Sequence, residues 1–225
     1  MGPGDAAMTD PRAWMNRIAA EHQGDYVELF EKVYAAAAAG EGEVPWAEVA
    51  DRHRVLREWA AERKLDGTGK KALVVGCGYG HDAEFVATLG YDTTAFDVSP
   101  TAIDVAKSKH PDSPVTYTVA NLLEAPAEWS QAFDLVVEIA TVQALPRSMR
   151  REVTDAIAGF VAPGGTLLVI AKKQQGPITE GPGPWPLTRE ELAAFGEAGL
   201  VEVRVQDLSA AQTSGEGRWL AELRR

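Results

Sequence analysis

The chain is short of three things, and each absence closes off a class of function. It has one cysteine, Cys77, in 225 residues, so no disulfide framework, CxxC redox pair or thiolate zinc site can be built. It has no apolar run near the roughly 18–20 residues of a membrane-spanning helix, and residues 1–11 carry no basic stretch followed by an apolar one, so no secretory signal is expected. It is also poor in positive charge, with 22 Lys+Arg against 33 Asp+Glu and a net charge of −11. A surface of that sign repels phosphate backbones and anionic lipid. Nucleic acid and membrane surface are therefore poor partners for the protein body, and neither is expected. At 45% hydrophobic and 24% charged the chain can bury a core. The expectation is a cytoplasmic protein, monomer or homodimer, acting on a small molecule.

The hydrophobic pattern divides the chain near residue 66. Up to there it is helical. Trp14, Ile18, Tyr26, Leu29, Phe30, Val33 and Tyr34 recur at three- and four-residue steps over residues 11–40, a Gly/Glu/Pro break covers 40–45, and a second helix is predicted over 46–64. From residue 67 onward short apolar runs alternate with helical segments. Strands are predicted at 72–75, 93–96, 115–119, 133–137, 166–171, 201–207 and 218–223, with helices at 81–89, 100–108, 148–161 and 188–198. That alternation implies βαβ units and a parallel sheet with helices on both faces. The last two strands have no helix between them, which predicts an antiparallel end to the sheet. The expected class is α/β: a Rossmann-like, doubly wound, mostly parallel seven-stranded sheet in residues 67–225, with residues 1–66 as an N-terminal helical cap. The Gly/Pro-rich stretch 176–186 is predicted to be a loop above the carboxyl edge of the sheet, where such sheets bind ligands.

The sharpest local signal is Val74-Val75-Gly76-Cys77-Gly78-Tyr79-Gly80. A buried strand runs into a turn with glycine at every other position, followed by a helix whose first N–H groups face a polar ligand. Seventeen residues after Gly80 the next strand ends in Asp97, placed to accept hydrogen bonds from ribose hydroxyls. Dinucleotide oxidoreductases and S-adenosylmethionine-dependent methyltransferases share this plan. The dinucleotide fingerprint asks for G-x-G-x-x-G, whereas here the spacing is G-x-G-x-G with Asp82 and Glu84 just inside the helix. A pyrophosphate sits badly beside those carboxylates, but the ammonium and sulfonium of S-adenosylmethionine do not.

Over roughly residues 70–170 the sequence resembles the class I S-adenosylmethionine-dependent methyltransferases. The likeness is carried by Val74–Gly80, by Thr94–Asp97 with Val98-Ser99-Pro100, by Val119-Ala120-Asn121-Leu122, by Phe133–Glu138 and by Val161–Ile170. It implies S-adenosylmethionine as cofactor, with S-adenosylhomocysteine as its product. Gly76, Cys77, Gly78 and Gly80 would surround the methionine part and the ribose, and Asp97 would bind the ribose diol. Val98 and Leu122 would sandwich the adenine with Asn121 near its amine, a position that is commonly an acid in the family. Glu138 and Ile139 would face the methionine and the transferred methyl. Val44-Pro45-Trp46 is similar to the Pro-Trp element of the thiopurine and thiol methyltransferase branch. That likeness implies that the N-terminal segment covers the donor, with Trp46 over the sulfonium, and it tilts the acceptor towards a thiol ahead of a hydroxyl or amine.

Other residues carry two readings. Tyr26, Gln143 and Trp185 are candidate walls of a substrate pocket; Tyr26, together with Trp14 and Tyr34, reads equally as core packing. His81 and Gln143 are the weak candidates for catalytic work, and His81 and His22 read more readily as solvated polar residues. His53 and His110 read as surface residues, and Cys77 as small packing. Asp134, Glu138 and Asp155 do not form a metal cluster, so no metal is expected. The competing functions are a nicotinamide-dependent oxidoreductase and a non-catalytic nucleotide-binding protein.

Overall fold

In the computed structural model, residues 17–18, 21, 24–46, 50–178, 183–213 and 216–225 are described. Trp14 and His22 lie outside them. Among the described residues, 17, 18 and 21 are helical, and α1 (Tyr26–Ala38) and α2 (Ala50–Arg63) follow ahead of the first strand. The single helix predicted over 11–40 is interrupted at Gly24, whose φ of +90° is a left-handed conformation. Asp25 then caps α1, its carboxylate accepting from the Glu28 N–H at 2.9 Å.

The rest alternates strand and helix: β1 (Lys71–Val75), α3 (His81–Thr88), β2 (Asp92–Asp97), α4 (Pro100–Lys109), β3 (Thr116–Val119), β4 (Phe133–Ile139), α5 (Arg150–Gly159), β5 (Val161–Lys172), α6 (Arg189–Glu197), β6 (Val201–Leu208) and β7 (Arg218–Arg224). The seven strands form one sheet in the order β3-β2-β1-β4-β5-β7-β6. All neighbours from β3 to β5 are parallel, and β7 runs antiparallel between β5 and β6. β1 and β4 are buried almost throughout, as strands covered on both faces must be.

Two apolar layers flank the sheet. On one face α5 and α6 pack Val153, Ile157, Leu192 and Phe195 against Val136, Leu167 and Val169. On the other, α2, α3 and α4 pack Leu56, Trp59, Val86 and Ile103 against Val74, Val137 and Leu168. Val153 and Ile157 are fully buried, and each contributes about 1.5–3 kcal/mol of hydrophobic stabilisation. α2 is also tied to the sheet by polar contacts: the buried Glu222 carboxylate on β7 accepts from Trp59 Nε1 at 3.1 Å and from Arg63 Nη2 at 2.6 Å.

The strand predicted from residue 166 begins at Val161. Pro163-Gly164-Gly165 lies inside β5 as an irregularity, with Gly164 at φ +77°. The pairing steps from Phe133–Val161 to Leu135–Thr166, while the Gly164 N–H donates to the Arg225 carbonyl and the Arg225 N–H to the Gly165 carbonyl.

Candidate functional site

Strand register assembles the site. β1 lies at the point where the sheet order reverses, and its last residue, Val75, pairs with Phe96 of β2 on one side and Glu138 of β4 on the other. Gly76, Asp97 and Ile139 therefore leave the sheet side by side at its carboxyl edge, where α/β sheets hold ligands. β3 adds the next segment: Val119 pairs with Asp97, and the Ala120 N–H donates to the Asp97 carbonyl at 3.0 Å. Asn121 and Leu122 follow at once, with Asn121 Oδ1 accepting from the Leu123 N–H at 3.1 Å and Leu122 buried.

All three loop glycines are left-handed: Gly76 at φ +60°, Gly78 at +51° and Gly80 at +88°. Neighbouring side chains also press on them. A Cβ on Gly76 would collide with the Thr141 hydroxyl, one on Gly80 with Tyr117, and one on Gly78 would lie 2.9 Å from the Tyr34 hydroxyl. Thr141 holds the start of the loop, its hydroxyl donating to the Val75 carbonyl at 3.0 Å.

Asp97 is 6% exposed. Its carboxylate accepts from the Gly78 N–H at 2.9 Å and the Ser99 N–H at 3.1 Å. Burial raises its pKa above the ordinary aspartate value, opposed by backbone N–H donors from Ser99, Gly78 and Val98. Burial and the Asp97 charge push the Cys77 thiol well up, so Cys77 is protonated and serves as packing rather than as a nucleophile. Val98 is half-buried beside Asp97.

Glu138 is fully buried, and its Oε1 accepts from the Thr141 N–H at 2.6 Å and the Val142 N–H at 2.9 Å. This closes a turn whose second residue, Ala140, is left-handed at φ +66°, the sort of stored strain that collects at functional sites. Ile139 is 9% exposed.

The cap side is aromatic. Tyr34 on α1 is buried over Gly78 and accepts from Trp46 Nε1 at 2.8 Å. Trp46 meets Phe30 and Tyr34 edge-on, and Tyr34 meets Tyr79 with ring centroids 5.4 Å apart. Burial first, then Asp97, keeps the Tyr34 hydroxyl protonated. Tyr26 opens α1 two turns earlier, about 12 Å along the helix axis from Tyr34.

Gln143 and Trp185 are brought together. The Trp185 N–H donates to the Gln143 carbonyl at 2.7 Å, and the Gln143 Oε1 accepts from the Lys172 N–H at 2.6 Å. Arg150, buried in α5, bridges them by donating to the carbonyls of Val142 and Trp185 while paired with Glu191.

His81 stands apart, at the start of α3. It packs against His53 of α2 and His110 at the end of α4, with ring centroids 5.5 and 6.2 Å apart. His53 and His110, read from sequence as surface residues, are thus part of a three-helix contact. His53 Nδ1 lies 2.5 Å from Asp82 Oδ1. The carboxylates of the first turn of α3 are both engaged, because Glu84 accepts from Ser113 Oγ at 2.6 Å and Tyr117 Oη at 2.5 Å.

Sequence reasoning did not single out Glu31 or Thr141, and it left Tyr34 as core packing. Glu31 accepts from the Ser99 hydroxyl at 2.6 Å, the Thr101 hydroxyl at 2.6 Å and the Thr101 N–H at 3.2 Å. Nothing local marks Glu31 or Thr141, whose partners are 68 to 70 and 66 residues away in sequence.

Comparison with known proteins agrees with this arrangement. Residues 72–165 match the family model described as a methyltransferase domain. A ubiquinone biosynthesis O-methyltransferase of Xanthomonas campestris pv. campestris (strain B100) is 33% identical over 103 residues, covering 45% of this chain and 42% of that protein. The chain thus matches less than half the length of that relative. Among solved structures, the 1,6-didemethyltoxoflavin-N1-methyltransferase of Burkholderia thailandensis, with 1,6-didemethyltoxoflavin and S-adenosylhomocysteine bound, superposes at a TM-score of 0.67 with 16% identity over 100% of this chain and 94% of that one. The N-methyltransferase NodS of Bradyrhizobium japonicum WM9, in complex with S-adenosylhomocysteine, gives 0.64 with 21% identity over 87% and 97%. Residues 72–165 are thus similar to the methyltransferase domain, and the chain shares its fold with methyltransferases solved with S-adenosylhomocysteine bound.

Proposed function

We propose that this protein transfers a methyl group from S-adenosylmethionine to a small-molecule acceptor. The observation that carries the reading is the side-by-side exit of Gly76, Asp97 and Ile139 from the sheet, with a left-handed glycine loop folded round a buried carboxylate. The residues fit the donor. Asp97 supplies an acceptor for ribose hydroxyls, Gly76, Cys77, Gly78 and Gly80 supply close backbone, and Val98 and Leu122 flank the adenine with Asn121 at its edge. Glu138 and Ile139 form the wall at the methionine end. The Glu138 carboxylate shapes that wall through the Thr141 and Val142 amides.

The donor supplies a methyl on a sulfonium, a good leaving group. The protein's share is then alignment for in-line attack and exclusion of water. Tyr34 and Trp46 close the donor side, Gln143 and Trp185 form the wall of the acceptor side, and Tyr26 lies at the entrance. His81, packed among α2, α3 and α4, has a smaller share in catalysis than sequence position alone implies.

A hydroxyl comes first as acceptor group, because the relative quoted above is named as an O-methyltransferase; the thiol preference rests on Val44-Pro45-Trp46 alone. A net charge of −11 disfavours nucleic acid and anionic membrane as partners, and the protein works as a monomer or homodimer. Asp82 and Glu84 in the first turn of α3 disfavour the pyrophosphate of a nicotinamide cofactor.

The test is transfer of labelled methyl from S-adenosylmethionine to panels of phenols, thiols and amines. Labelled phenols are expected. Labelled thiols or amines instead would move the acceptor class, and binding of S-adenosylhomocysteine without transfer to any panel would favour a non-catalytic nucleotide-binding protein.

A further inference from the structure

α1 is held across the carboxyl edge of the sheet at two points that straddle Asp97. At one, the Glu31 carboxylate accepts hydrogen bonds from the hydroxyls of Ser99 and Thr101 and from the N–H of Thr101. At the other, one turn further along, Tyr34 lies over Gly78, whose N–H Asp97 holds. The apolar contact beneath α1 is small, with Val33, Tyr34, Val44 and Ala102 at its centre, so the polar contact matters to its docking. α2 is fixed differently, through Glu222 on β7. Gly40, left-handed at φ +78° just past the end of α1, separates the two helices.

The Glu31 contact adds to the α4 helix cap at the Thr101 N–H but does not replace it. Ser99 Oγ accepts from the Ala102 N–H at 3.0 Å and so caps α4 by itself. The same hydroxyl donates its hydrogen bond to Glu31. Removing the carboxylate leaves the Ser99 cap at the Ala102 N–H in place, frees the Thr101 N–H and releases α1. Burial pushes the Glu31 carboxyl up, but the hydrogen bonds from Ser99 and Thr101 outweigh it and hold the group below the ordinary glutamate value, so the contact is made by a carboxylate across the neutral range.

We propose that Glu31 is a positioning residue, a carboxylate latch that clamps α1 over the donor site through Ser99 and Thr101 and so sets how fast donor and product leave. This rests on the reading that the glycine loop and Asp97 hold the donor.

The experiment measures S-adenosylhomocysteine dissociation by stopped flow, and amide hydrogen exchange over residues 26–38 with and without it, for the wild type, Glu31→Gln, Thr101→Val and the double variant. Breaking charge-assisted hydrogen bonds should raise the dissociation rate roughly tenfold in Glu31→Gln, with a much smaller change in association. Thr101→Val should raise it in the same direction, and the double variant should do no more than the larger single effect. Exchange over 26–38 should speed up in Glu31→Gln without ligand as well, while exchange over 103–109, beyond the Thr101 contact, stays as in the wild type. Wild-type dissociation in Glu31→Gln, additive effects in the double variant, or unchanged exchange over 26–38 would each overturn the latch. If the wild type does not bind S-adenosylhomocysteine, the donor reading fails, and the ligand-free exchange data still decide whether Glu31 fastens α1. Should Glu31→Gln fail to fold, the Thr101→Val comparison carries the test.

Discussion

Asp97 is the residue at which structure and the proposed ligand meet. Its carboxylate is buried and already holds two backbone N–H groups, so the glycine loop is organised before any donor arrives. Asp97→Ala removes both that organisation and the ribose acceptor, and should cost about 1–3 kcal/mol of donor affinity, read by calorimetric titration with S-adenosylhomocysteine. His81 belongs to the same scale through its protonation. Burial first, then the nearby charges of His53, Lys109 and His110, lowers its pKa below the ordinary histidine value, against a smaller opposite effect of Asp82. Its Nε2 is buried without a hydrogen-bond partner among the described residues. A histidine that resists protonation when folded contributes stability that is complete above the unfolded pKa of about 6.5 and is lost as pH falls below it. The melting temperature should therefore drop between pH 7.5 and 5.5, and His81→Gln should flatten that slope. An identical slope in the variant would remove His81 from the account.

Elements explain what was legible in the sequence and what was not. β1 and β4 were readable because strands covered on both faces must be continuously apolar, and α3 and α4 because a glycine loop and a Ser-Pro pair mark their starts. The entry to β5 was not readable. Pro163-Gly164-Gly165 has turn chemistry, and only pairing with β4 and the Arg225 backbone draws it into the strand. At the site, residues 76–80 and 97 could be found because strand, turn and helix dictate them locally. Glu31, Tyr34 and Thr141 could not, because their roles exist only once α1 and the β4 turn lie against the loop. His53 and His110 were misread for a related reason, since residue type alone assigns polar side chains to solvent. The Thr141 contact can be tested. Thr141→Val keeps the shape but removes the bond to the Val75 carbonyl, and should cost about 1 kcal/mol of stability together with weaker S-adenosylhomocysteine binding. A stability loss with unchanged affinity would confine Thr141 to the fold.

For the molecule as a whole, the sheet is the reference frame and the cap helices are attached to it by contacts of different kinds. α2 is anchored through Glu222, 4% exposed and paired with Arg63 and Trp59. Arg63→Ala strands most of a buried charge while the partly exposed arginine side is easily lost, so about 2 kcal/mol of destabilisation is expected, a fall in melting temperature of roughly 4–8 °C for a chain of this size. α1 is attached by Glu31 and a small aromatic contact. Among the described residues no helix is long and apolar enough to cross a membrane. The proposed donor site lies where sheet, glycine loop and α1 converge, and the central claim is that this convergence binds S-adenosylmethionine. Calorimetric titration of the wild type and Asp97→Ala with S-adenosylhomocysteine, with NADH as parallel titrant, addresses it most directly. The account predicts micromolar binding of S-adenosylhomocysteine by the wild type, weaker binding by Asp97→Ala and no binding of NADH. Binding of NADH alone, or equal S-adenosylhomocysteine affinity in the two proteins, would contradict it.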